Sequence, residues 1–252
     1  MNSTDFAEYL APCCTIAREA GQLIMGYFSP SVVVQKKTDD TPVTEADTRA
    51  NDYIVAKLQK LTPNIPIIAE EDKIRIEGQA DLFWLVDPLD GTRAFIKGEP
   101  EFTVNIGLIQ NGAPLLGVIY APPQELLYFG DNVSAFRAEK NTAAKPITVR
   151  KPSSNGLIVV KSKSHPSAKT QAYLDTLNIR DMRPGSSSIK FCMVADGSAD
   201  LYPRFGRTME WDTAAGHAIL NAAGGRVETI DGQPLTYGKP GFENPGFIAF
   251  GG

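Results

Sequence analysis

Apolar residues in the first thirty positions recur at helical spacing. Phe6, Leu10, Cys13/Cys14, Ala17, Ala20, Ile24 and Phe28 fall on one face, which predicts an amphipathic helix over about residues 4–28. Ser29-Pro30 ends it, because the residue before proline is pushed out of the helical region. Val32 to Val34 reads as a strand and Lys36 to Pro42 as a polar loop. Thr44 can cap a second helix, about 45–60, with Asp47 in its first turn. After Pro63, Ile65 to Ala69 reads as a short buried strand that delivers Glu70, Glu71 and Asp72 to its end; 73–81 is a polar connector.

A second apolar run, Phe83 to Val86, stops at Asp87-Pro88-Leu89-Asp90-Gly91-Thr92, where turn chemistry is expected to hold two acids at the mouth of a sheet. Phe102 to Ile109, Leu115 to Ala121 and Glu125 to Phe129 predict an antiparallel meander. Residues 140–156, rich in Lys, Pro, Ser and Asn, hold the best candidate boundary, between an α+β region 1–150 and an α/β region 151–252. In the second part a strand (Leu157 to Val160), a helix (about 167–176), Gly185-Ser186-Ser187-Ser188, a helix (about 188–196), a strand (Ala199 to Tyr202) and a helix from Trp211-Asp212 to about Ala223 alternate. There are no internal repeats and no low-complexity segment.

Composition narrows this picture. Of 252 residues 42% are hydrophobic and 21% charged, as in ordinary globular proteins. With 25 basic against 29 acidic residues the net charge is −4, and no basic block occurs, so duplex nucleic acid is not an expected partner. Three cysteines, two of them adjacent, imply no disulfide framework and point to a reducing cytoplasm. Two histidines and no Cys pair at ligand spacing argue against zinc. No apolar run approaches ~18 residues, so no integral membrane segment is expected.

Four acids carry the candidate chemistry: Glu70, Asp87, Asp90 and Asp212. Each sits where an apolar segment ends or a helix begins, and the Leu89 carbonyl lies between two of them. Oxygen donors of this kind suit a hard cation such as Mg²⁺. Brought together, four carboxylates carry roughly −4, which two to three Mg²⁺ would turn positive enough for a phosphate. Gly91 lets a phosphate approach the backbone, and Thr92 offers a hydroxyl. Each residue also has a bland reading: Asp212 as a helix N-cap, Asp87 and Asp90 as turn formers, Glu70 as a solvated strand end, Thr92 as a cap. No Ser-His-Asp arrangement, G-x-S-x-G, P-loop or dinucleotide fingerprint competes.

Trp84 to Thr92 (WLVDPLDGT) and Trp211 to Gly216 (WDTAAG), with the Glu70 region, resemble the signatures of the inositol-monophosphatase-like, Mg²⁺-dependent, lithium-sensitive phosphatases. The resemblance covers essentially the whole chain. It implies a layered α-β-α-β-α sandwich, metal ligands at Glu70, Asp87, Asp90, Asp212 and the Leu89 carbonyl, and a water activated by Asp47 and Thr92. Within that superfamily Phe95-Ile96-Lys97, Ser164-His165, Gly185 to Phe191 and Leu201 to Gly206 are most similar to the 3′(2′),5′-bisphosphate nucleotidases of the CysQ type. That group removes the 3′-phosphate of adenosine 3′,5′-bisphosphate, giving AMP, and is tied to sulfate assimilation. The substrate contacts implied are Gly91, Thr92, His165, Ser186, Ser187, Lys190 and Arg204. Where inositol-type members tend to place an acid, this chain has Arg204; a guanidinium is a poor partner for a polyol and a good bidentate partner for a second phosphate. Arg204, Lys190 and His165 also read as ordinary surface residues. An extra serine before Ile189 departs from the pattern and leaves the single serines without assigned roles. The alternatives are an inositol monophosphatase of broad substrate use and a non-catalytic nucleotide-binding regulator. Oligomeric state, metal count and peripheral association with an inner membrane stay open.

Overall fold

The computed structural model describes residues 6–29, 34–36, 42–72, 80–140, 142–162 and 168–252. His165 and most of the expected polar segments at 36–42 and 73–81 lie outside them, as do Val32 and Val33. The chain runs α1 (Ala7–Tyr27), β1 (Val34–Lys36), β2 (Pro42–Thr44), α2 (Glu45–Leu61), β3 (Ile67–Ala69), β4 (Leu82–Asp90), α3 (Thr92–Ile96), β5 (Thr103–Gln110), β6 (Ala113–Ala121), β7 (Leu126–Gly130), β8 (Ala135–Glu139) and β9 (Lys145–Ile147). It continues through β10 (Leu157–Ser162), α4 (Ala168–Leu174), β11 (Ile179–Gly185), α5 (Ile189–Ala195), β12 (Leu201–Arg204), α6 (Glu210–Ala222), β13 (Arg226–Thr229) and β14 (Phe247–Phe250).

Among the described residues β3 to β9 form a seven-stranded sheet in sequence order, parallel between β3 and β4 and antiparallel thereafter. A five-stranded sheet has the order β11-β10-β12-β14-β13. Its β10, β11 and β12 are parallel, as expected where helices alternate with strands, while β14 runs antiparallel to β12 and β13.

Strand alternation sorts the layers. Trp84, Val86, Val104, Ile106, Val118 and Tyr120 face α1 and α2 in one buried cluster. Phe83, Leu85, Ile109 and Ile119 face the opposite way, into a second cluster with Phe191 of α5, Trp211, Ala214 and Ala215 of α6, and Tyr202, Phe247 and Ala249 of the five-stranded sheet. Leu174 of α4 packs on the outer face of that sheet with Val159, Leu201 and Ile248. The order is therefore α-β-α-β-α. No described helix is long and apolar enough to cross a membrane.

Two local features matter for the site, the first a difference from the sequence reading. The apolar run does not end in a turn at Asp87: β4 continues through Asp90. Asp87 pairs with Asn105 and Asp90 with Thr103, so three steps on β4 oppose two on β5. That one-residue bulge restores the phase of the side chains. Without it, residues three apart in a strand would point to opposite faces. Second, Gly107 and Gly117 are partners across β5 and β6 and lie directly beneath α6. A β-carbon on Gly117 would sit 2.2 Å from the Ala215 carbonyl oxygen. The two glycines thus set how closely α6 approaches the sheet.

Candidate metal and phosphate site

The bulge, the end of β3 and the start of α6 converge. Carboxylate oxygens of Glu70, Asp87 and Asp212 come within 4.8 Å of one another. Glu70 is held in place because its N–H donates to Val86 O at 3.0 Å, extending the β3–β4 pairing by one residue. The Leu89 N–H donates to Asp87 Oδ1 at 3.1 Å, which fixes the carboxylate inside the bulge. Asp90 belongs to the same electrostatic group, facing Asp87, Glu70 and Asp212.

Asp212 is not the N-cap. Met209 caps α6, and Asp212 is the third residue in; its Oδ2 accepts the Met209 N–H at 2.8 Å. Asp47 does the same at α2, where its Oδ2 accepts the Thr44 N–H at 2.8 Å and the Thr44 hydroxyl at 2.5 Å. A capping box occupies one carboxylate oxygen and locks the side chain, leaving the other oxygen for a second task. For Asp47 that task is accepting the Thr92 hydroxyl at Oδ1, 2.9 Å away. The structural and functional readings of these acids therefore hold together.

Burial and mutual repulsion govern their protonation. Burial raises Asp87 well above the ordinary carboxylate range, and Glu70, Asp90 and Asp212 add to this. Asp212 is pushed up to about 8 by burial, then by Asp90 and Glu70, against the Met209 hydrogen bond and Arg204. Asp90 is raised by burial and restrained by Lys190, by the Asn105 side chain and by the Ser188 backbone. Asp47 is raised by burial against its hydrogen bonds from Thr44 and Thr92. Crowded all-oxygen donors, Asp87 buried and Glu70, Asp90 and Asp212 half-buried, fit a hard divalent cation and do not fit a soft one.

A cleft of about 360 Å³ opens beside this group, with Asp90 and Asp212 in its wall. The rest of its lining includes five cationic side chains, Arg93, Lys97, Lys190, Arg204 and Arg207, beside two further acids, Glu99 and Glu101. Lys190 is buried, lies 5.3 Å above the Tyr202 ring, and is lowered to about 8 by burial, with Arg204 adding to the shift and Asp90 and Asp212 opposing it. Arg204 Nη2 donates to Arg207 O at 3.2 Å, while its buried Nε has no protein partner. Gly206 beside the guanidinium leaves that side open.

Of the other expected substrate contacts, Gly91 lines the cleft with φ +107°, and a β-carbon there would lie 2.7 Å from Ser187 Oγ. Thr92 turns its hydroxyl toward Asp47 and, at 3.2 Å, the Leu89 carbonyl. Ser186 and Ser187 line the cleft, but both hydroxyls have protein acceptors: Glu101 for Ser186, and Asp90 O at 2.9 Å for Ser187. His165 lies outside the described residues. Sequence reasoning missed Thr103, Asn105 and Glu210, and gave Thr44 its capping role alone. A lone Asn in the apolar strand Thr103–Gln110 was the available signal for Asn105, because a buried amide needs partners. Glu210, on which the sequence reading is silent, is fully buried and accepts the N–H groups of Gly238 and Lys239 at 2.7 and 2.9 Å.

Known proteins resemble the chain over most of its length. The model of the inositol monophosphatase family matches residues 5–246. The 3′(2′),5′-bisphosphate nucleotidase CysQ of Escherichia coli strain K12 is 45% identical over 241 residues, covering 93% of this chain and 96% of that protein. The protein of the same name from Buchnera aphidicola is 44% identical over 243 residues, 94% of this chain and 91% of its own length. Among solved structures, CysQ from Bacteroides thetaiotaomicron matches with a TM-score of 0.81 at 37% identity over 94% of each chain. The inositol monophosphatase of Anabaena (Nostoc) sp. PCC 7120 matches with a TM-score of 0.79 at 27% identity, covering 98% of this chain and 92% of that one.

Proposed function

The chain belongs to the inositol monophosphatase family, and on that premise we propose that it is a 3′(2′),5′-bisphosphate nucleotidase. It hydrolyses the 3′-phosphate of adenosine 3′,5′-bisphosphate to AMP and phosphate, with two to three Mg²⁺ as cofactor. The observation that carries this reading is a cleft whose wall holds Asp90 and Asp212 of the carboxylate group together with the cations Lys190 and Arg204. A nucleotide with two phosphates has a partner for each. An inositol phosphate has only one phosphate and leaves Arg204 facing hydroxyls, which is why the inositol alternative is the weaker one.

Glu70, Asp87, Asp90, Asp212 and the Leu89 carbonyl would hold the cations, which supply positive charge and Lewis acidity at the scissile phosphate. The chain's own residues do the rest. The Thr92 hydroxyl hydrogen goes to the nearer, charged acceptor, Asp47 Oδ1. This leaves the Leu89 carbonyl free for a cation and the Thr92 oxygen free to accept a proton from an attacking water. Asp47, kept from rotating by Thr44, is the group that takes up that proton. Lys190 and Arg204 orient the second phosphate, Gly91 allows close approach of the first, and Ser186 and Ser187 shape the wall between them. Replacing Asp90 by Asn tests the site: kcat is expected to fall about 10²-fold or more with the fold intact by circular dichroism. Near-normal turnover would remove Asp90 from the machinery.

A further inference from the structure

The serine-rich turn after β11 reaches from the five-stranded sheet to the metal-site strand of the other sheet, and its contacts form a directed chain. Thr103 Oγ1 and Ser188 Oγ lie 2.9 Å apart, Ser188 Oγ lies 2.6 Å from Asn105 Oδ1, and Asn105 Nδ2 lies 3.4 Å from Asp90 Oδ2. All three relay residues are buried to 2% exposure or less. The carboxylate of Asp90 only accepts, so Asn105 must present its amide nitrogen to it. Its carbonyl then faces Ser188, which must donate; Ser188 in turn can only accept from Thr103. The direction of every bond thus follows from the charge at the end of the chain.

Neighbouring contacts support the same target. Ser187 Oγ donates to the Asp90 backbone oxygen at 2.9 Å, and Ser187 adopts φ +50°, a left-handed conformation that a non-glycine residue keeps only when its surroundings hold it there. The bulge in β4 is what brings Asp90 opposite Thr103 and into line with Asn105. We infer that Asn105, oriented by Ser188, is a positioning residue that selects which oxygen of Asp90 is left for the cation. The serine turn is then a structural link between the nucleotide-binding side of the cleft and a metal ligand. This rests on the reading of Asp90 as a ligand given above. It assigns the third serine a role: Ser188 does not touch substrate and acts through Asn105.

The test is Mn²⁺ binding to the metal-free protein, followed by calorimetry, for Ser188→Ala, Asn105→Val, Thr103→Val and Asp90→Asn, with thermal melting and steady-state kinetics on each. Ser188→Ala and Asn105→Val are expected to weaken Mn²⁺ about 10- to 100-fold, the range for lost outer partners of metal ligands. Their KM for nucleotide at saturating metal should stay within about threefold. Thr103→Val, which leaves Ser188 still able to donate, should lose stability comparably but bind Mn²⁺ nearly as wild type. In the Asp90→Asn background Ser188→Ala should have no further effect on Mn²⁺ affinity. Wild-type Mn²⁺ affinity in both Ser188→Ala and Asn105→Val overturns the inference alone, provided Asp90→Asn itself binds weakly. An undiminished effect of Ser188→Ala in the Asp90→Asn background overturns it as well. If Asp90→Asn binds Mn²⁺ like wild type, the ligand reading fails and takes the inference with it. Should Ser188→Ala not fold, Asn105→Val and its Asp90→Asn double carry the same comparison.

Discussion

Gly117→Ala should damage catalysis from the far side of a helix. The added β-carbon would lie 2.2 Å from the Ala215 carbonyl oxygen and 2.9 Å from the Ala215 carbonyl carbon and Cα. Non-bonded carbon contacts are comfortable at about 3.5 Å, so α6 must lift by about 1 Å. These are backbone atoms, and no rotamer change relieves them. Overpacking of this kind costs roughly 1–3 kcal/mol, or a Tm lower by about 2–12 °C in a domain of this size. Ala215 lies one turn beyond Asp212 on the same helix, so the lift carries Asp212 away from Glu70 and Asp87. A misplacement of about 1 Å in a catalytic group can cost about 10²-fold. Mg²⁺ titrations of phosphate release at a temperature where the variant is fully folded should therefore show a higher half-saturating Mg²⁺ and kcat reduced by about 10- to 100-fold. Gly26→Ala is the control, since nothing lies within 4 Å of the β-carbon it adds. If Gly117→Ala melts lower yet keeps wild-type Mg²⁺ dependence and kcat, the glycine floor does not place Asp212, and the reasoning is wrong.

Two further expectations concern charge. Asp212 has a folded pKa raised from 3.8 to about 8, and Asp87 and Asp90 move in the same direction, so the metal-free folded state binds more protons than the unfolded chain across that window. Stability of the metal-free protein is thus full below about pH 4 as regards these groups and is lost as pH rises toward 8; saturating Mg²⁺ should flatten the decline, and a metal-free Tm that rises over this window would contradict the crowding of these acids. Arg204→Ala should cut kcat/KM for the bisphosphate by about 10²-fold, the worth of a charge-assisted pair, while a nucleoside 3′-monophosphate is hydrolysed within about threefold of wild type. Arg204→Lys should recover part of the loss as a point charge without the fork. Equal losses on both substrates would show that Arg204 does not serve the second phosphate.

Apolar runs bounded by turn residues, Phe83 to Val86, Phe102 to Ile109 and Leu115 to Ala121, made the first sheet legible, because strands buried on both faces are apolar at nearly every position. The helices bearing Asp47 and Asp212 were equally legible, except that Asp212 was placed at the cap and lies three residues inside. What was not legible depends on partners distant in sequence. β11, Ile179–Gly185, carries Arg180, Asp181, Arg183 and Pro184 and receives no assignment from the sequence; it is an edge strand, where such residues are tolerated. β8 and β9 were missed, and β9 fell in the segment taken as a boundary. The bulge was read as a turn because Pro88 and Gly91 signal both, and only pairing with β5 separates them. Glu210 is buried by a loop 28 residues later that has no periodic pattern of its own. The acids were found because strand ends and helix starts are marked locally; the groups that aim them, Asn105 and Ser188, sit 83 residues apart.

The most direct test of the account is a substrate panel under one Mg²⁺ concentration: adenosine 3′,5′-bisphosphate, inositol 1-phosphate and fructose 1,6-bisphosphate, with products identified by chromatography. The account predicts the highest kcat/KM for the nucleotide, AMP as its product, and no turnover when Mg²⁺ is removed by chelation. A higher kcat/KM on inositol 1-phosphate, or release of the 5′-phosphate in place of the 3′-phosphate, would contradict it.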